Sequence, residues 1–159
     1  MTAKTKYRVV ECIAALFILL FCYTAITKWT GHAAFVFALS RSPLVGSIAT
    51  PLSWFIPAVE LGTAGLLFFP RTRRLGLLIS AILMIAFTLY LGYMLAFVDR
   101  LPCSCGGVIS KLSWKEHFVF NSMFTLLALA GWWLMKRTNF FIAISRNSRT
   151  PVEESRQKI

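Results

Sequence analysis

Four apolar runs, at residues 9–26, 52–69, 75–98 and 118–135, constrain this chain more than anything else in it. A helix needs roughly 20 apolar residues to span a hydrocarbon core of about 30 Å, and every run has that length or comes close. Of the 159 residues, 57% are hydrophobic and mean hydropathy is +0.68, well above a soluble domain. The expected fold is an all-α membrane protein: a four-transmembrane-helix bundle over residues 1–137, with residues 138–159 forming a partly disordered cytoplasmic tail.

The runs differ in character. The third carries no charge, whereas the second contains Pro57 and Glu60. Pro57 falls near the start of its run, where a missing amide donor costs least. The first run, preceded by Lys4, Lys6 and Arg8, is longer than the apolar region of a secretory signal. It ends in Cys22-Tyr23-Thr24-Ala25-Ile26-Thr27 without a small-x-small cleavage site, so it reads as a retained anchor.

A net charge of +11 raises the question of nucleic acid, but the basic residues flank apolar runs, where membrane topology puts them; nucleic acid is not expected as a partner. With the N-terminus inside, twelve cations fall on cytoplasmic segments: Lys4, Lys6, Arg8, Arg71, Arg73, Arg74, Lys136, Arg137, Arg146, Arg149, Arg156 and Lys158. Five (Lys28, Arg41, Arg100, Lys111 and Lys115) fall outside. This follows the positive-inside bias. Trp29, Trp54 and Trp114 at the outer boundary, and Trp132 and Trp133 at the inner one, agree with interfacial anchoring. Both termini are therefore expected in the cytoplasm of a multi-pass inner-membrane protein. The segment from Lys28 to Pro51 is long enough to hold a short element of its own at residues 32–39, apolar enough to lie on the membrane surface. Phe140-Phe141-Ile142-Ala143-Ile144 is expected to rest on the inner leaflet.

Cys103-Ser104-Cys105-Gly106-Gly107 lies between the third and fourth runs and so faces the periplasm or exterior, where a dithiol persists as a disulfide. Closing so small a ring needs a tight bend, which Pro102 and Gly106-Gly107 suit. The bond would be strained and exchangeable. Arg100, Lys111, Lys115 and His117 offer positive charge that favours a thiolate. Three readings of Cys103 and Cys105 stand: exchange-active thiols, a structural disulfide, or a metal site. Zinc would want four ligands, and His117 alone is nearby; Cu(I) on two thiolates is compatible with the motif. Cys12 and Cys22, about 15 Å apart along a helix, cannot pair with each other; Cys22 could approach the loop thiols or serve as a small apolar filler.

Glu60 sits mid-run, where a charged carboxylate costs on the order of 3 kcal/mol and calls for a partner or a function. It reads as a proton relay, a donor to a bound quinone, or a hydrogen-bonded packing group. Glu11, one turn from Arg8, is expected to pair with it. Trp114, His117 and Asn121 share one helix face, a stripe that either lines a small polar pocket below the dithiol or caps and orients the fourth helix. Ser113 and Glu116 have capping-box spacing.

These residues resemble the MauE branch of the DoxX-like membrane proteins. The likeness spans residues 22–134 and rests on Lys28, Ser42-Pro43-Leu44, Pro57 with Glu60-Leu61, Pro70-Arg71-Thr72-Arg73, Pro102-Cys103-Ser104-Cys105-Gly106-Gly107, and Trp114-Lys115-Glu116-His117-Phe118 with Asn121. It implies a four-helix membrane protein concerned with redox maturation of extracytoplasmic proteins, as for the disulfide-rich small subunit of methylamine dehydrogenase, and relatives linked to quinone and thiol-stress chemistry. The resemblance to four-helix disulfide-generating enzymes is at fold level only: this motif has one intervening residue, and the first outer loop lacks a second cysteine pair, so a partner must supply the relay.

Two function classes follow. One is thiol–disulfide exchange through Cys103 and Cys105 with a periplasmic thioredoxin-like partner or client, with quinone held near Glu60, His117 and Asn121. The other is a non-enzymatic assembly factor with a structural disulfide; Cu(I) or zinc handling is a third reading. Lipid is the expected surroundings in every case.

Overall fold

A computed structural model describes residues 3–97 and 113–147. All regular structure in them is helical: α1 (Ala3–Thr30), α2 (His32–Ser40), a 3-10 turn (Gly46–Ile48), α3 (Ala49–Phe68), α4 (Arg73–Phe97) and α5 (Trp114–Asn147). Four segments, Thr5–Thr30, Gly46–Phe68, Arg73–Phe97 and Lys115–Met135, are long and apolar enough to cross a membrane. They correspond one to one with the four apolar runs, as expected of a multi-pass membrane protein.

The long helices form a ring. α1 packs on α3, α3 on α4, α4 on α5, and α5 returns to α1. Phe17 and Phe21 of α1, Leu67 of α3, and Leu77 and Met84 of α4 are fully buried at its centre. Phe17 meets Phe124 of α5 edge-on, with ring centroids 5.5 Å apart. Leu19, Leu89, Phe97 and Leu126 point outward and are exposed, an apolar exterior that suits lipid as solvent.

Hydroxyls inside the ring are satisfied on their own helices. Thr63 donates to the Val59 carbonyl at 2.7 Å, Ser80 to Gly76 at 2.8 Å and Ser122 to Phe118 at 2.8 Å. Thr88 and Thr125 also lie 3.1 Å apart across α4 and α5. Each already donates to its own backbone, at 2.7 and 2.8 Å. Two protons cannot serve three bonds at once, so the cross-helix contact competes with the local ones.

Two ends of the bundle can be told apart. At the upper end α1 finishes, α2 crosses, α3 begins, α4 finishes and α5 begins. Here α2 packs through Phe35 and Leu39 against Ala49, Leu52 and Ile56 of α3. Gly46 lets the 3-10 turn close on the end of α2, since a Cβ there would stand 2.8 Å from the Ser40 carbonyl oxygen. At the lower end, the turn between α3 and α4 is capped by its own side chains. Thr72 Oγ1 donates to the Leu66 carbonyl at 2.8 Å and Arg73 Nε to the Leu67 carbonyl at 3.3 Å. Both satisfy carbonyls that the end of a helix leaves open. Gly76 permits the return, because a Cβ there would lie 3.0 Å from Leu67 backbone and side chain alike.

Three sequence expectations change. Lys28 is not a loop cation: α1 continues to Thr30 and takes Lys28 into its last turn. Pro57 is not near a helix start, because the 3-10 turn feeds α3 from Ala49 and places Pro57 inside the helix; the Ser53 carbonyl therefore lacks its usual amide donor. Glu11 pairs across the bundle with Arg73, at 3.5 Å between Oε1 and Nη1, rather than with Arg8 on its own helix. The short element anticipated at residues 32–39 is α2. α5 runs on past Met135 to Asn147.

Candidate functional site

The four long helices and α2 converge on one side chain, Lys28. Its ammonium lies 2.6 Å from Glu60 Oε1 on α3, 5.9 Å from the centre of the Phe35 ring on α2 and 5.8 Å from that of Phe87 on α4. His117 of α5 stands within electrostatic reach of it. Every element around the upper end thus contributes one group to a cluster centred on a cation.

Local structure explains how each group arrives. Lys28 sits in the final turn of α1, where a long flexible stem can turn down along the bundle with its head still one-fifth exposed. Glu60 lies three residues past Pro57, on the face of α3 that also buries Ser53, Pro57, Thr63 and Ala64. Glu60 is only 2% exposed. The Thr24 hydroxyl lies beside it, one turn before Lys28. Oε1 has the ammonium, while Oε2 is buried with no hydrogen-bond partner among the described residues. A carboxylate oxygen can accept more than one hydrogen bond, so Oε2 is an acceptor awaiting a donor. Lys28 correspondingly keeps donor capacity beyond its bond to Oε1.

α5 enters the site through the anticipated capping box. The Ser113 amide donates to Glu116 Oε2 at 2.7 Å and the Glu116 amide to Ser113 Oγ at 3.3 Å. This sets the start of the helix and places His117, half-buried, and Asn121, 7% exposed, one turn apart on the inward face. Phe118 packs toward Gly92, where a Cβ would come within 3.3 Å of its ring, so α4 and α5 lie close beside the cluster.

A second constellation borders the first. The His32 ring, at the start of α2, stacks on Trp54 with centroids 4.3 Å apart, and Trp54 meets Trp29 edge-on at 6.3 Å. His32 Nε2 is 3.0 Å from Ser53 Oγ, which itself donates to the Thr50 carbonyl at 2.7 Å. The one hydroxyl proton being used, Nε2–H must be the donor to Ser53. The two indoles are about half exposed, as side chains at a membrane boundary should be.

Of the residues singled out in the sequence, Glu60, His117 and Asn121 belong to this upper region. Cys103 and Cys105 lie outside the described residues, as do Arg100 and Lys111. Cys12 is exposed on α1, and Cys22 is half-buried and packs against the core. No group of three or more His, Cys, Asp or Glu side chains among the described residues could hold a metal ion. Sequence reasoning missed Lys28 as the partner of Glu60. The signal was present, since an intramembrane carboxylate demands a counter-charge and Lys28 directly follows an apolar run.

The family model described as methylamine utilisation protein MauE matches residues 6–134, taking in α1 and extending through the Cys-x-Cys segment and most of α5. No curated protein and no solved structure matches the chain. The matched region covers most of the sequence and takes in all but the end residues of the four membrane-length helices, together with Lys28, Glu60, His117 and Asn121. The chain is a multi-pass membrane protein belonging to the MauE family.

Proposed function

We propose that this protein takes part in thiol–disulfide exchange with an extracytoplasmic partner through Cys103 and Cys105, and that the Lys28–Glu60 cluster holds a quinone that receives the electrons. Both termini lie in the cytoplasm on this reading, and the Cys-x-Cys segment lies in the periplasm or exterior. The partner is a thioredoxin-like protein or a client whose disulfides are being formed. In the oxidising direction, a partner thiolate attacks the Cys103–Cys105 bond. The mixed disulfide then resolves, leaving the partner with a disulfide and this chain with two thiols. One S–S bond forms as another breaks, and the two protons of the partner dithiol end on Cys103 and Cys105.

The observation that carries the reading is an acceptor beside a donor: Glu60 Oε2 has no hydrogen-bond partner among the described residues, and Lys28, bonded to Oε1 at 2.6 Å, keeps further N–H groups. These residues fit a quinone, whose ring oxygens accept from an ammonium and, when reduced, donate to a carboxylate, and whose flat ring suits the aromatic sides formed by Phe35 and Phe87. A quinone bound there supplies the two-electron, two-proton acceptor that reoxidation of the dithiol requires. Lys28 orients an oxygen, Glu60 and His117 hold protons, and the apolar ring of helices excludes water. Asn121 lies buried one turn below His117 on the same helix.

The test is trapping. A Cys105→Ser variant retains Cys103 to capture the partner, and a mixed disulfide recovered from intact membranes is the expected result. If no adduct forms while the wild-type pair cycles between redox states, the exchange reading falls. If Cys103→Ser with Cys105→Ser weakens partner association but leaves the client's disulfides intact, the protein is a non-enzymatic assembly factor instead. Quinone depletion separates the second half of the proposal: it should leave Cys103 and Cys105 reduced, and an unchanged redox state would remove the quinone from the scheme.

A further inference from the structure

The lower end of the bundle has its own unfinished cluster, distant from the Lys28 site. Arg73 is turned inward, its side chain only 10% exposed. Nε is spent on the Leu67 carbonyl, and the guanidinium lies 5.9 Å from the centre of the Tyr7 ring. Nη1, however, is buried without a hydrogen bond among the described residues: Glu11 Oε1 is 3.5 Å away, an ion-pair distance too long for a directed bond. Glu11 is itself 46% exposed.

The surroundings of Arg73 have two chemical layers. Arg8 on α1, and Arg71 and Arg74 on either side of Arg73, are exposed. Among the described residues, they and Arg73 bring four guanidinium groups to this end of the bundle beside the carboxylate of Glu11. Immediately beside them Phe68 and Phe69, 67% and 60% exposed, meet edge-on at 5.5 Å, and Tyr7 is 46% exposed. Cations therefore lie next to apolar rings at the end of a membrane-length helix pair. A soluble anion would use the cations alone. A molecule with a phosphate head and hydrocarbon tails uses both.

We propose that the groove between the first turns of α1 and the α3–α4 turn binds the phosphate of an anionic phospholipid. Arg73 supplies the inner donor, Arg8, Arg71 and Arg74 the outer ones, and the Phe68–Phe69 pair the wall against which the acyl chains begin. Arginine suits the task because its planar fork matches phosphate oxygens, and basic groups between membrane helices are a recurrent setting for acidic headgroups. Glu11 is the competitor: it occupies Arg73 in the absence of lipid and yields when a phosphate arrives.

The experiment is a lipid titration of the purified full-length protein in detergent, followed by native mass spectrometry, with phosphatidylglycerol and phosphatidylcholine compared. Each cation near a charged headgroup contributes about fivefold in affinity. Phosphatidylglycerol should be retained over phosphatidylcholine by the wild type, and R71Q/R74Q, which alters exposed side chains only, should bind it roughly twentyfold more weakly. E11Q should bind it more tightly, by about fivefold, since the competing carboxylate is gone. Equal retention of the two lipids, an unaltered affinity in R71Q/R74Q, or weaker binding in E11Q would each overturn the proposal. Inorganic phosphate added in excess distinguishes the source: failure to displace the lipid supports a phospholipid site, and full displacement shows a site for soluble phosphate instead.

Discussion

Separating Lys28 from Glu60 tests the heart of the upper site. Lys28→Met leaves a carboxylate that is 2% exposed with neither oxygen paired to a cation. Removing one partner of a buried pair costs about 3–5 kcal/mol in general, and a charge in a membrane interior costs on the order of 3 kcal/mol; Lys28→Met should therefore destabilise the bundle by about 3 kcal/mol. Glu60→Leu should cost less, about 2 kcal/mol, because the ammonium is one-fifth exposed and retains the Phe35 and Phe87 rings. Replacing both at once leaves no unpaired charge, and the double variant should lie within about 1 kcal/mol of wild type. The coupling in the cycle is then about 4 kcal/mol, far above the few tenths expected for independent sites.

Reversible unfolding in mixed detergent micelles, followed by the fluorescence of the five tryptophans, measures all four corners. Additive single costs would refute the claim that the two charges act as a unit. A larger cost for Glu60→Leu than for Lys28→Met would refute the argument from unequal burial. The double variant is also a functional tool, since it retains the fold while removing both polar groups. Cys103 and Cys105 should become slow to reoxidise in it, and normal cycling would detach the cluster from the redox reading.

Gly76→Ala should destabilise the turn between α3 and α4 by about 1–3 kcal/mol, because its Cβ would meet Leu67 backbone at 3.0 Å; Gly62→Ala on the exposed side of α3, where nothing lies within 4 Å, should stay within about 0.5 kcal/mol of wild type in the same unfolding assay. Phe17→Ala empties the centre of the ring, where Phe17 is 0% exposed. In lipid the transfer contribution largely drops out, so the cost should follow the cavity alone, about 2 kcal/mol for a space of roughly 100 Å³, and a loss under about 0.5 kcal/mol would show that the core collapses around the gap.

Hydropathy and charge bias are sums over segments, which is why the four spans, α2 and the capping box at Ser113 were legible in the sequence. Pairing across helices is a matter of how each helix is rotated about its axis, and no segment sum contains that. Lys28 and Arg73 were both counted as boundary cations, and the partner of Glu11 was sought one turn away at Arg8. The fold instead turns Lys28 and Arg73 inward, onto Glu60 and Glu11. Glu60 stood out because a lone carboxylate in an apolar run is costly, but its cost names a need and not the residue that meets it. Pro57 was misjudged for a related reason: the 3-10 turn ahead of α3 moved the helix start upstream.

Those two misread cations share a physical role that becomes apparent once both are placed. Helices in lipid gain little from hiding one apolar face rather than another, since the tails are as apolar as the core; rotation and axial register are set by polar contacts between helices. Glu11 and Lys28 lie near opposite ends of α1, about 25 Å apart along its axis. Each is tied to a different partner, Arg73 at the start of α4 and Glu60 within α3. A single ion pair lets a helix pivot about it. While Glu11 occupies Arg73, two at opposite ends restrict both the rotation of α1 and its height against the α3–α4 hairpin, and with it the position of Lys28 beneath α2. The lower pair thus supports the geometry of the upper one: Glu11→Ala should shift the fluorescence of Trp29 and Trp54 at the far end of α1, and an unchanged spectrum would show that Lys28 and Glu60 set the register alone.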